Sequence, residues 1–319
     1  MKEEFNSLGR KKIPFFFVID FALKNYYIEP LETLSKDIFF KTEKFSNYDS
    51  TLLPFQSRDF FLKKKGIDFQ KYNLAFAEVI KEIKLGNTYL LNLTFPTSIK
   101  TNLSLLEIFH RSQAKFKLYF QDNFISFSPE RFIRIDGNVI KTYPMKGTIE
   151  ANLKGADQKI LEDSKEMAEH VMVVDLMRND LSIVANQVRL DKFRFLDKIK
   201  AGEKDLWQVS SKISGFLESD WPSRVGDILE AILPAGSISG TPKKKTVEII
   251  ERVEEYERGF YTGIFGVFDG KNLDSAVMIR FIEKDPQGKF VYKSGGGITI
   301  DSQSEKEYQE MLDKVYLPF

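Results

Sequence analysis

Lys146 and Glu130 are the two side chains whose types and spacing best suit covalent chemistry. Lys146 lies in Tyr143-Pro144-Met145-Lys146-Gly147-Thr148, a stretch that reads as a turn bounded by proline and glycine. Glu130 lies shortly upstream in Ser128-Pro129-Glu130-Arg131-Phe132. An amine and a carboxyl group on neighbouring stiffened segments supply a nucleophile and a proton donor. Lysine is ordinarily a solvated surface cation, so only this company sets Lys146 apart.

Two glutamate pairs, Glu166 with Glu169 and Glu307 with Glu310, are each spaced three residues apart on expected helices. That spacing puts both members of a pair on one helix face, and two such faces brought together offer an all-oxygen site suited to magnesium. Either pair alone is also what a solvated helix carries. Glu307 has a further structural reading as the capping-box partner of Ser304. His170, beside Glu169, reads as a buried, hydrogen-bonded histidine in preference to a ligand.

The loop Pro234-Ala235-Gly236-Ser237-Ile238-Ser239-Gly240-Thr241-Pro242 runs into an expected helix start, where close backbone approach and unpaired N–H groups suit an anion. It is not a nucleotide P-loop, because three residues separate Gly236 from Gly240 and Thr-Pro precedes Lys243. Gly295-Gly296-Gly297 likewise lacks the dinucleotide fingerprint. An ordinary turn is the alternative for either glycine cluster. Tyr261 and Arg280 fall on consecutive expected strands, and the Arg280 guanidinium, inside an apolar run, needs a partner. A substrate carboxylate and a structural salt bridge remain equal candidates. The inventory suggests a small, multiply anionic metabolite, a hard cation, a proton donor and an amine.

The elements that must position these groups are mostly strands. Residues 72–85 carry a helical apolar period, while 89–95, 117–120, 124–127, 132–135 and 139–142 read as strands, with Asp136-Gly137 as a hairpin signal. The stretch up to about residue 61 also reads as strands and turns. One long helix is expected over 157–181 and another from Thr241 as N-cap with Pro242 at the first helical position. Strands follow at 261–268, 276–283 and 289–293, and a last helix at 304–315 opened by Ser304 and Glu307. Long helices between blocks of strands predict an α+β architecture, a mainly antiparallel β-sandwich flanked by helices.

The 319 residues show no Pro/Gly/Ser-rich linker or repeat, so one domain over 1–319 is expected, with 1–70 a short portion integrated into it. Lys plus Arg number 47 against 46 Asp plus Glu, and the basic residues are dispersed, which recommends no nucleic-acid partner. The absence of cysteine removes disulfides and thiol nucleophiles and suits a reducing cytoplasm. Residues 14–23 carry Asp20 and read as a buried strand instead of a signal peptide, and no segment is long enough to span a membrane.

Taken in order, Ser-Pro-Glu-Arg-Phe, Pro-Met-Lys-Gly-Thr, Lys-Glu-Met-Ala-Glu-His with Val-Asp-Leu-Met-Arg-Asn-Asp, Gly-Ser-Ile-Ser-Gly-Thr-Pro-Lys, Tyr-Thr-Gly-Ile-Phe-Gly, Ile-Arg and Gly-Gly-Gly-Ile resemble the chorismate-binding enzyme family from about Tyr72 to the C-terminus. The resemblance implies a fold around a large β-sandwich, chorismate as substrate and magnesium as cofactor. Lysine at 146, where anthranilate synthases typically carry alanine, points to the aminodeoxychorismate synthase component I branch. Leu90 stands where isochorismate and salicylate synthases carry a water-activating lysine. Leu233 stands where anthranilate synthases usually have histidine, and without a Leu-Leu-Glu-Ser segment no tryptophan feedback is expected.

By motif position, the resemblance makes Glu169 and Glu310 the magnesium ligands, with Glu166 and Glu307 as water-mediated or outer partners. It makes Glu130 the general acid, and Ser237, Tyr261, Arg280, Thr148 and the amides of Gly295, Gly296 and Gly297 the substrate contacts. Lys146 becomes the nucleophile, which ammonia from a separate glutamine amidotransferase subunit displaces. That role needs a neutral amine, so burial and nearby magnesium are expected to bring Lys146 from ~10.4 toward ~7 to 8. The rivals are anthranilate synthase component I and a non-catalytic chorismate-binding regulatory subunit.

Overall fold

The computed structural model describes residues 1–48, 59–201 and 204–319. Two sheets, of nine and eight strands, form its frame, and every strand pairing within them is antiparallel. The α+β class read from the sequence is the one observed. Phe15–Ile19 shows why aromatic runs make this frame. Alternation along the strand sends Phe15, Phe17 and Ile19 toward covering helices, while Phe16 and Val18 meet Phe40, Phe116 and Phe281 of the other sheet. A strand buried on both faces has no polar alternation, hence the unbroken run. The same strand pairs with Ile264–Phe268, tying the N-terminal part to the C-terminal part.

Helices close the outer faces. Lys2–Arg10 and Val225–Ile232 cover one sheet, and Leu105–Arg111 packs under the other with the C-terminal Val315 and Leu317. Among the described residues no helix is long and apolar enough to cross a membrane.

Several elements differ from the sequence reading. Residues 2–10 form a helix whose periodicity the aromatic runs after it had obscured, and part of the expected N-terminal strand region, 49–58, lies outside the described residues. The long helix over 157–181 is two, Ala156–Glu162 and Ser164–Val184, because Asp163 leaves the helical conformation and its carboxylate accepts from the Glu166 N–H at 2.9 Å. The helix expected at Thr241 begins at Lys243, since Gly240 and Thr241 are drawn into strand pairing with Leu91 and Leu90. The capping box expected at Ser304 and Glu307 does not form: Gln303 is the N-cap and Ser304 Oγ has no partner. The same spacing at Ser104 and Glu107 does make one, with both reciprocal bonds present.

Candidate functional site

The site grows where the chain changes sheets. Phe124–Ser128 belongs to the eight-stranded sheet and Arg131–Asp136 to the nine-stranded one, which leaves Glu130 at the crossing. The expected strand over 276–283 is also two, Leu273–Val277 in one sheet and Phe281–Lys284 in the other, with Arg280 at the second crossing. The crossings brace each other: Val277 N donates to Glu130 O at 3.1 Å, and Phe127 N to Arg280 O at 3.2 Å. Arg280 has φ +52°, a left-handed conformation that a long side chain rarely adopts and that marks a backbone held by its surroundings.

These crossings assemble an acid and an anion grip. Ser237 Oγ donates to Glu130 Oε1. Burial raises the Glu130 carboxyl above the usual glutamate range, and Ser237, Arg280 and Lys146 offset that only in part. The proton is therefore held more firmly than by an exposed glutamate, as a general acid requires. Arg280 Nε donates to Tyr316 Oη at 3.3 Å over the face of that ring, and it makes no salt bridge among the described residues. The structural ion pair considered for Arg280 is thus not observed. Tyr261 lies buried in the turn before Ile264–Phe268, not on the strand expected there, and burial keeps its phenol protonated.

Lys146 sits on a bulged strand, not in the expected turn. Met145–Glu150 pairs with Lys204–Phe216, and the register slips between Met145 and Thr148, so Lys146 and Gly147 form the irregularity that re-aims the amine. Gly147 has φ +79°, and a Cβ there would stand 2.8 Å from Glu166 Oε2. Lys146 Nζ lies 2.7 Å from Glu169 Oε2. Burial pulls this ammonium down, but Glu169 first, then Glu166 and Glu310, more than reverse it, so the amine is raised above an ordinary lysine. Burial by itself therefore does not lower this amine, because three carboxylates outweigh one desolvation. Thr148, on the same strand, is exposed.

Gly295, Gly296 and Gly297 lie within the strand Phe290–Ile298, paired with Thr94, Leu93 and Asn92, and form no turn. Gly297 faces Leu90 and Lys146 Nζ, and Gly296 faces Glu307 and Glu310 of the last helix. Lys314, unremarked in the sequence, completes this side: Nζ is 2.7 Å from Glu310 Oε1 and donates to Gly295 O at 2.9 Å. A glutamate and lysine four apart are so common on helix surfaces that nothing in the sequence signals it. His170 is buried, with Nε2 2.7 Å from Ser211 Oγ, and burial brings it down to about 4, which leaves it neutral.

Glu166, Glu169 and Glu310 all act on one ammonium, so two helices set their carboxylates around Lys146. Among the described residues no three acidic or histidine side chains converge on a cation-sized point, and Glu169 and Glu310 are each held by a lysine. The oxygen-only donor set fits magnesium. The loop at 234–242 does not run straight into a long helix: Gly236–Ser239 makes one turn, and two strand residues follow.

A model of chorismate binding enzymes matches residues 27–318, well before the Tyr72 where the motif resemblance begins. An uncharacterized PabA-like protein of Haemophilus influenzae is 49% identical over 99% of this chain and 95% of its own length. Aminodeoxychorismate synthase component 1 of Escherichia coli and anthranilate synthase component 1 of Thermococcus kodakarensis are each 32% identical, over 77% and 75% of this chain. The chain spans 58% of the length of each of those two. Among solved structures, anthranilate synthase component I of Streptococcus pneumoniae superposes with a TM-score of 0.68 at 25% identity, over 80% of this chain and 58% of that one. The menaquinone-specific isochorismate synthase of Escherichia coli gives 0.74 at 16% identity, over 98% and 79%, a likeness of fold. With the motifs, the sandwich and the matched residues in agreement, the chain belongs to the chorismate-binding enzyme family.

Proposed function

We propose that this chain is an aminodeoxychorismate synthase component I, which converts chorismate and ammonia to 4-amino-4-deoxychorismate. The observation that carries the reading is Lys146 Nζ set between Glu169 and Gly297, across from the apolar Leu90, close enough for its charge to act on Glu130 at the sheet crossing. Arg280, Tyr261 and Lys314 would hold the substrate carboxylates, with Ser237, Thr148 and the backbone of 295–297 as further contacts. The Lys146 lone pair forms a C–N bond to the ring as the ring double bonds shift and the C–O bond to the hydroxyl breaks. Glu130 gives that hydroxyl its proton, so it departs as water. The ring-bound ammonium is then displaced by ammonia at the conjugated ring position and leaves as the neutral Lys146 amine, while the new ring ammonium gives up a proton that restores Glu130.

Magnesium, held by Glu169 and Glu310 with Glu166 and Glu307 beside them, would neutralise substrate carboxylate charge and occupy the carboxylates that now keep Lys146 protonated. Leu90 offers no base for water, which favours this outcome over ring hydroxylation. Thiol-based glutaminase chemistry needs an activated cysteine and the chain has none, so ammonia would come from a separate amidotransferase subunit. The test is to incubate the pure chain with chorismate, magnesium and ammonium and identify the product by mass. A product that keeps the enolpyruvyl ether supports the reading, and anthranilate, which has lost pyruvate, overturns it. The same incubation with glutamine replacing ammonium should give no product.

A further inference from the structure

Ser237 sits on a single helical turn, Gly236–Ser239, too short to be stable by itself. Something outside the turn must fix where its hydroxyl points. On one side, the Asp180 carboxylate from the helix Ser164–Val184 is packed against the Gly236 backbone. The approach is so close that a Cβ on Gly236 would stand 2.9 Å from Asp180 Oδ2 and 2.8 Å from Leu176 Cγ. Asp180 is itself fixed by Lys243, whose Nζ lies 2.7 Å from Oδ1 and donates to Ile232 O at 2.8 Å. On the other side, the Ile238 carbonyl accepts from Arg258 Nη1 at 2.9 Å and from Asn92 Nδ2 at 3.1 Å. Arg258 is fixed in turn by Glu254 at 2.6 and 2.8 Å, and Glu254 Oε1 also accepts from Thr94 N at 2.8 Å. Both members of the Arg258–Glu254 pair are buried.

We propose that Asp180 and Arg258 are positioning residues, one anchoring the backbone before Ser237 and the other the backbone after it, so that the Ser237 hydroxyl stays aimed at Glu130. The proposal deepens the reading of Glu130 as the general acid and rests on it. It also gives a physical task to two motif residues that the chemistry leaves unused: the final Asp of Val-Asp-Leu-Met-Arg-Asn-Asp and the Lys of Gly-Ser-Ile-Ser-Gly-Thr-Pro-Lys meet as the Asp180–Lys243 pair. A buried ion pair by itself says little about stability, so its value here lies in what it orients. With the flanking peptides fixed, Ser237 retains only its χ1 rotation.

Two readouts separate the anchor from the acid. Hydrogen exchange over residues 235–241 of the full chain reports the anchor directly. Asp180→Ala should speed exchange there by about tenfold or more, with the sheet peptides unchanged, because the carboxylate packed against the Gly236 peptide and paired with Lys243 is lost. Asp180→Asn, which keeps an acceptor oxygen, should recover most of the protection. In steady-state turnover with chorismate, magnesium and ammonium, Asp180→Ala should lower kcat by about tenfold with less than about a threefold change in KM. In a Ser237→Ala background the same substitution should cost less than about twofold, since nothing is left to aim. Unchanged exchange in a folded Asp180→Ala chain overturns the anchor, and equal kcat losses in both backgrounds overturn its action through Ser237. If Ser237→Ala turns over normally while exchange responds as expected, the anchor stands and the acid pairing falls. Should Asp180→Ala not fold, Gly236→Ala drives a methyl into the same contact from the loop side and replaces it in each comparison.

Discussion

Lys117 is buried and Lys146 half-buried, and their surroundings push their amines in opposite directions. Lys117, 3% exposed on the strand Phe116–Phe120, donates to Phe109 O at 2.9 Å and Ser112 O at 2.8 Å, and its ammonium lies over the rings of Tyr48 and Phe109. It meets carbonyls and ring faces at the end of the helix Leu105–Arg111, and burial brings it down to about 7. Lys146 meets Glu169, Glu166 and Glu310, and is raised. At Lys117, then, burial without a carboxylate partner lowers the amine. The carboxylates around Lys146 are an added feature that opposes neutrality, and they accord with a site whose acidic groups serve a cation when it works.

The largest effect expected from breaking this contrast is at Lys146 itself. Lys146→Ala should lower aminodeoxychorismate formation by about a thousandfold or more while chorismate still binds, because the anion contacts lie elsewhere. Lys146→Arg should fail equally, since a guanidinium stays protonated. Rate assays beside equilibrium binding check both. Next comes Glu130→Gln, which keeps the Ser237 contact but has no proton to give. A loss of about a hundredfold in kcat is expected, and an undiminished rate would assign the proton to another donor.

Glu169→Gln and Glu310→Gln sharpen the comparison from the carboxylate side. Each should raise the magnesium concentration for half-maximal turnover by about tenfold or more. Magnesium titrations that superpose on wild type in both variants would remove these glutamates from the metal. The smallest effect is on stability at Lys117. Its folded value, about 7, lies below the 10.5 of an ordinary lysine, so the unfolded chain takes up the proton first as pH falls. The contribution is fully present above about 10.5 and is lost as pH drops toward 7, at a cost of up to a few kcal/mol. Wild type should thus gain more stability than Lys117→Met between pH 7 and pH 9.5. Parallel melting curves for the two chains would show that the carbonyls and rings keep Lys117 charged throughout.

Much of this was legible in the sequence because burial and chemistry write on different residues. Aromatic runs marked Phe15–Ile19 and the strands between 117 and 142, helical spacing over 72–85 marked the helix observed at Phe69–Lys84, and the ordered motifs carried the family. The change of sheet at Arg280 was not legible, since Leu273–Val277 and Phe281–Lys284 are both buried and no turn residue punctuates them. A left-handed arginine leaves no compositional trace. The bulge at Lys146 looked like a turn because glycine with positive φ serves both. Ser104 and Ser304 show the limit of local spacing: each has a glutamate three residues on, and only the surrounding backbone decides that one caps its helix. Lys314 and the Asp180–Lys243 pair were hidden for a related reason, because each partner is placed by tertiary packing and carries no mark of its own.

The proposed chemistry centres on a covalent bond between the Lys146 nitrogen and the substrate ring, and mass mapping of the quenched wild-type chain tests that bond most directly. With chorismate and magnesium present and ammonium absent, the peptide holding Lys146 should gain the mass of chorismate less one water, and added ammonium should discharge it. An unmodified Lys146 peptide, together with near-normal aminodeoxychorismate formation by Lys146→Ala, would contradict the account and leave ammonia attacking the ring unaided.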